Sequence, residues 1–141
     1  MTDKPKTVGE LMTRDVVTLF EEQNLEFVDE GMKYLGFRHL PVVDENRLVG
    51  LVTQRDMLRF AVGAMEPGRE QREKTYERNV FEAQIMIRDV ETVREDTPLI
   101  DAAKLLQQHK YGCLPVVNDA HELVGIITES DFLGLVVSLL S

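Results

Sequence analysis

The chain has 141 residues, a length that fits one compact domain, and its 43% hydrophobic and 29% charged residues fit an ordinary globular protein. A net charge of -9 argues against nonspecific nucleic-acid binding, which needs a dense set of phosphate-neutralising Lys and Arg, but it leaves room for a small anion in a locally basic pocket. One cysteine, Cys113, excludes an internal disulfide and a cysteine-rich zinc site.

The opening residues, MTDKPKTVGE, lack the apolar stretch of a secretory signal, so a cytoplasmic protein is expected. The first element is a short extended piece, VVTL (16–19). A helix should follow, with Leu25, Val28, Met32 and Leu35 on one stripe and the polar EEQN (21–24) ahead of it. Two β-rich runs, LPVVD and RLVGLVT, flank the turn residues DEN, and a second helix is placed from Asp56. Next comes a stretch of mixed charge, MEPGREQREKTYERN (65–79), in which Pro67 and Gly68 break the chain. Glu70 and Lys74 then suit a solvated helix.

The remainder repeats the first part. VETV (90–93) is followed by a helix with Leu99, Ala102, Ala103 and Leu106 on its stripe, and Pro98 fits its first turn. LPVVN and ELVGIIT surround NDAH, and a last helix is placed from Asp131. Met12 and Met86 are 74 positions apart (86 minus 12), as are His39 and Cys113 (113 minus 39). After one extra residue, LVGLVTQRDML faces LVGIITESDFL. The expected fold is therefore α/β (α+β), a β-α-β-β-α order written twice: residues 8–64, a charged connector at 65–80, and residues 81–141. A unit of about 60 residues is marginal alone, so the two should pack as one pseudo-twofold domain with paired clefts.

Cys113 precedes an apolar run and reads as a buried, inert thiol. His39, His109 and His121 show no metal-ligand spacing, and the latter two read as surface residues; no metal is expected. The apolar FLGLVVSLL (132–140) is much shorter than the ~20 residues of a membrane span. Its apolar circumference fits burial against another surface. No nucleophile–base pair, P-loop or dinucleotide glycine fingerprint is present, so no catalysis is expected.

Each copy carries Thr-x-x-Asp at a strand-to-helix turn, Thr53 with Asp56 and Thr128 with Asp131. Two readings stand side by side. Threonine and aspartate at this spacing form a capping box with no ligand needed. Equally, an ionised Asp accepts from two neighbouring hydroxyls of a ribose, and the adjacent helix N-terminus suits a phosphate. Both roles can coexist.

The stretches RHLPVVDENRLVGLVTQRDML and GCLPVVNDAHELVGIITESDFL, with ELMTRDVVTL and QIMIRDVETV opening the copies, resemble a tandem pair of cystathionine-β-synthase (CBS) domains, a Bateman module. The resemblance runs from about Val8 to Leu135, so no catalytic or output domain is expected within these residues. It implies a three-stranded sheet with two helices per motif, and adenine nucleotides or related adenosyl compounds bound between motifs. By resemblance, Asp131 with Thr128 and Ser130 takes ribose and phosphate, Ile126 flanks the ribose, and Val16, Val17 and Phe37 form the adenine slot. Arg38, and with less weight His39, would reach ligand phosphates; a polar strand entrance near solvent is the competing role for Arg38. A second site would use Thr53, Arg55 and Asp56 with Val90, Glu91 and Tyr111, where Arg55 meets a phosphate or faces solvent. The slot residues also fit plain core packing.

The expected function is a regulatory module that senses AMP, ADP, ATP, NAD or S-adenosylmethionine and signals to a partner protein. A homodimer paired through its helices is implied as well. The alternative is an interaction scaffold with empty clefts.

Overall fold

A short polar side chain starts the first long helix. In the computed structural model, which describes residues 4–65, 78–80, 85–109 and 112–141, Asn24 accepts from the Phe27 amide at 2.9 Å and opens α2 (Leu25–Leu35). A four-residue helix absent from the sequence expectation, α1 (Val8–Leu11), precedes it. Gly36, at φ 74, ends α2 in the left-handed conformation that glycine adopts without steric cost. Leu25, Val28 and Met32 are buried as their spacing requires. Leu35, expected on the same stripe, sits in the final turn where the chain leaves the helix, and it is 70% exposed.

Strands β1 (His39–Asp44) and β2 (Arg47–Thr53) pair antiparallel across Glu45 and Asn46. Both turn residues have positive φ, 49° and 69°, the geometry a two-residue hairpin demands. Helix α3 (Gln54–Met65) follows directly. In the second copy the order is α4 (Leu99–Gln108), β3 (Cys113–Val117), β4 (Leu123–Thr128) and α5 (Glu129–Leu140). The second hairpin is one residue longer, which accounts for the register change in the repeat. Its loop is tied down by Asn118, whose side-chain oxygen accepts from the Ala120 and Glu122 amides at 3.0 and 2.9 Å. The connector expected at 65–80 lies outside the described residues, apart from Met65 and residues 78–80.

The extended pieces that open each copy are narrower than the three-stranded sheet implied by resemblance. Leu19 makes one parallel bridge to Val42, and Val93 makes one to Val116. Pairing stops there because the chain bends at once toward the next helix: the Phe20 amide donates to the Gln23 side chain, and the Gln23 amide donates back to the Phe20 carbonyl.

The chain forms two compact units whose boundaries differ from those of the repeat. One is continuous, Val17–Asp89; the other joins Met1–Val16 to Val90–Ser141. The reason lies in the residues just before each extended piece. Thr13 pairs antiparallel with Ile126 of β4, and Ile87 pairs antiparallel with Leu51 of β2. Each of these straps is held in the same way. A Cβ on Gly125 would come within 2.7 Å of Met12 Sδ and 2.9 Å of the Thr13 carbonyl oxygen, and a Cβ on Gly50 within 2.1 Å of Met86 Cγ and 2.9 Å of the Ile87 carbonyl oxygen. Glycine is required in both LVG runs because a neighbouring backbone lies directly on it. Arg14 pairs with Glu95 at 2.9 Å and Arg88 with Glu21 at 3.8 Å, but these exposed pairs are worth at most about 1 kcal/mol.

Apolar burial carries the stability of each unit. Leu19, Leu25, Val28, Met32, Leu40, Val42, Val52, Met57, Val80 and Met86 form the core of Val17–Asp89. Val8, Met12, Val93, Leu99, Ala102, Leu106, Leu114, Val116 and Ile127 form the other core.

Candidate functional site

The two Thr-x-x-Asp turns sit at matching strand-to-helix junctions. Thr128 is the N-cap of α5, with extended backbone at φ -127 and ψ 166. Its hydroxyl accepts from the Asp131 amide at 3.3 Å, and Asp131 Oδ2 accepts from the Thr128 amide at 2.9 Å and from its hydroxyl at 3.3 Å. This is a complete capping box. At the first turn Thr53 Oγ1 donates to Asp56 Oδ2 at 2.7 Å and accepts from the Asp56 amide at 3.2 Å. The helices therefore start at Gln54 and Glu129, two residues ahead of the expected Asp56 and Asp131. Each aspartate is the third helical residue, because its threonine satisfies an amide the helix leaves unpaired.

All of these capping bonds to carboxylate run to Oδ2. The Oδ1 atoms of Asp56 and Asp131, both half-buried residues, lie outside the cap bonds, so capping leaves one carboxylate oxygen for another hydroxyl.

A main-chain tie completes each turn, and no sequence pattern announced it. The Gln54 amide donates to the Arg38 carbonyl at 2.8 Å, and the Glu129 amide donates to the Gly112 carbonyl at 3.1 Å. The residue before each first strand is thus fixed beside the start of the following helix. His39 and Cys113 then face the two threonines across the hairpins, in the pairs His39–Thr53 and Cys113–Thr128.

Thus Thr53, Arg55 and Asp56 share the Val17–Asp89 unit with Phe37, Arg38, His39 and Val17. Phe37 is half-buried against that unit's core, Arg38 and Arg55 are exposed, and Val17 is 47% exposed. The other unit holds Val16, Ile126, Thr128, Ser130 and Asp131, along with Val90 and Glu91. There Ile126 is buried in β4, Val16 is half-buried and Ser130 is exposed. Glu91 is exposed, and one of its carboxylate oxygens stands 3.8 Å from His109 Nε2. Tyr111 lies outside the described residues.

Cys113 is fully buried, and burial pushes its thiol up to about 12, so it stays protonated and unreactive at neutral pH. Among the described residues, no helix is long and apolar enough to cross a membrane. No group of three His, Cys, Asp or Glu residues among them could hold a metal ion.

The family model for the CBS domain matches residues 8–63 and again 82–138. Protein MJ1225 of Methanocaldococcus jannaschii is 38% identical over 136 residues; the match covers 93% of this chain and 47% of that protein, so the chain spans about half its length. The crystal structure of MJ1225 superposes with a TM-score of 0.81 at 34% identity, covering 94% of this chain and 48% of that one. Arabidopsis thaliana CBSX2, solved in complex with AMP, gives a TM-score of 0.80 at 28% identity and covers 97% and 100% of the two chains. The CBS domain pair of protein MJ0100, solved with 5′-methylthioadenosine and S-adenosyl-L-methionine, gives 0.74 at 26% identity over 92% and 98%. With two matched segments that fill most of its length and the duplicated turn described above, the chain belongs to the CBS domain family.

Proposed function

We propose that this chain is a non-catalytic regulatory module that binds an adenosyl ligand and passes its occupancy to a partner protein. The observation that carries the reading is the duplicated turn, in which each aspartate engages its threonine through Oδ2 and keeps Oδ1 outside those bonds. Solved family members hold AMP, 5′-methylthioadenosine and S-adenosyl-L-methionine, which share the adenosine part such a turn would recognise.

In the first site Asp131 Oδ1 takes the ribose hydroxyls. Ser130 and Thr128 stand by for a phosphate, Ile126 flanks the sugar, and Val16, Val17 and Phe37 provide the adenine slot, with Arg38 and His39 toward the phosphates. In the second, Thr53, Arg55 and Asp56 act with Val90, Glu91 and Tyr111. The ligand is AMP, ADP or ATP, or a related S-adenosyl or NAD compound, and the module works in the cytoplasm.

A ligand at 100 times its dissociation constant should stabilise the fold by ~2.7 kcal/mol. A thermal-shift panel of these ligands, followed by calorimetric titration, tests the reading. Asp131→Ala should erase most of the shift at the first site while leaving a folded protein; unchanged affinity would reject the ribose assignment.

A second reading, an interaction scaffold with empty clefts, is favoured by α5. This helix has no buried residue, and Leu133, Val137 and Leu140 are 65%, 59% and 82% exposed. Such a face suits a second copy of the chain, and dimerisation is part of the proposal in either case. A scaffold would bind no ligand in the thermal-shift panel.

A further inference from the structure

A methionine seats each of the two straps. Met12 lies over Gly125 with Sδ and Cε 2.7 and 3.1 Å from the position a Cβ would take, and Met86 lies over Gly50 with Cγ and Sδ closer still. Main-chain bonds flank both sulfurs: Thr13 and Ile126 exchange amide bonds at 2.9 Å, and Ile87 and Leu51 exchange theirs at 2.8 and 2.9 Å. Little else anchors these segments. Between Val8 and Thr13 only Val8 and Met12 are buried, and Met86 is the buried residue of 85–87. Met12 and Met86 are also the more accessible of the described methionines, 9% exposed against 4% and 2% for Met32 and Met57.

A thioether suits such a socket because it is apolar and unbranched. A sulfoxide does not. When a peroxide oxidises methionine, the sulfur lone pair attacks the O–O bond, one oxygen stays on sulfur and the other leaves as water. The new oxygen is a strong acceptor, yet the amides of Thr13 and Ile126, and of Ile87 and Leu51, already donate to carbonyls. Inside the socket it would therefore be buried with no donor, on a side chain already packed against backbone.

We infer that Met12 and Met86 are reversible oxidation sites, at which sulfoxide formation unseats the strap and reduction by a dithiol reseats it. In the reduction the sulfoxide oxygen leaves as water and the dithiol closes to a disulfide. Each strap runs within four residues into Val16 or Val90 (16 minus 12 and 90 minus 86 are both 4). Release of a strap therefore loosens the adenosyl site, a consequence that rests on the proposed ligand reading.

Hydrogen peroxide applied to the native chain, with each methionine followed by peptide mass spectrometry, provides the test. Met12 and Met86 should oxidise several-fold faster than Met32 and Met57. The amides of Thr13, Ile126, Ile87 and Leu51 should then lose protection from hydrogen exchange ahead of those in α4, and the melting temperature should fall by about 5 °C or more. The two methionine sulfoxide reductases, one for each epimer, with dithiothreitol should restore both readouts. Met12→Leu/Met86→Leu nearly conserves volume and should melt near wild type before and after peroxide. Faster oxidation of Met32 or Met57 overturns the inference, as does strap oxidation that leaves exchange and melting unchanged; neither result depends on the variant folding. AMP should bind the oxidised chain several-fold more weakly than the reduced chain. Equal AMP affinity in the two overturns the link to the site, whereas AMP binding to neither removes the adenosyl reading and leaves the oxidation switch standing.

Discussion

The two compact units have similar cores but different chain routes. Val17–Asp89 is one uninterrupted segment that supplies its own strap, around Met86 and Ile87. The other unit takes its strap, Val8 to Thr13, from the far end of the sequence and closes it on residues more than eighty positions later. A sequence repeat and a folding unit are therefore different objects here. Duplication copied the residues, but the pairing of each strap with the β2-type strand of a unit decides where that unit begins and ends.

The largest effect should come from removing the distant strap. Deleting residues 1–14 strips Val8 and Met12, 0% and 9% exposed, from the discontinuous unit. At ~1.5–3 kcal/mol for each buried side chain, the loss of ~3–6 kcal/mol reaches the lower end of a small domain's stability, ~5–15 kcal/mol. Calorimetry should show that unit's transition lost or strongly lowered. A truncated protein that melts like wild type would show that the strap is not part of the unit's core.

A sharper contrast comes from the strap sockets. Gly50→Ala and Gly125→Ala each force a methyl group into an occupied position, and overpacking of this kind costs ~1–3 kcal/mol. Gly50→Ala should be the worse of the two, since its closest approach is 2.1 Å against 2.7 Å. Urea denaturation of both variants checks the order. Equal, negligible losses would mean that the straps yield easily.

The caps should differ more gently. Thr128→Ala removes the hydroxyl of a full capping box, at a cost of ~1 kcal/mol. Thr53→Ala should cost a similar amount, with the added loss of the 2.7 Å hydroxyl bond to Asp56. Guanidinium titrations of the two variants measure this, and a neutral Thr128→Ala would deny the cap any role in stability.

The last effect is absent at neutral pH and separates His39 from Cys113, which occupy matching positions. Burial holds the folded thiol at about 12, above its ordinary 9.0, so the folded state retains the proton. That contribution is fully present below pH 9 and is lost as pH rises from 9 toward 12. Stability should fall more steeply over that window in wild type than in Cys113→Ala. Iodoacetamide at pH 8 should leave Cys113 unmodified until the protein is unfolded, as read by mass spectrometry; rapid labelling of the native protein would contradict the burial.

Much of the fold was legible because it rests on local chemistry. Continuous β-rich apolar runs marked the four named strands, helical spacing marked Leu25, Val28 and Met32, and repeated LPVV and Thr-x-x-Asp segments marked the duplication. The threonines and aspartates of the candidate site were readable for the same reason, since a cap is made by residues three apart. Leu35 was misplaced because periodicity does not register where Gly36 turns the chain.

The sequence by itself determined the repeat, the caps and the excess of negative charge, all of them properties of neighbouring residues or of the whole composition. Tertiary structure alone decided that Thr13 lies on Ile126, that Met12 fills the space over Gly125, and that the Arg38 carbonyl meets the Gln54 amide. Those contacts join positions from 16 (54 minus 38) to 113 (126 minus 13) residues apart, and the hydrogen bonds among them run through main-chain groups, which every residue but proline carries in full, so no local side-chain pattern can announce them.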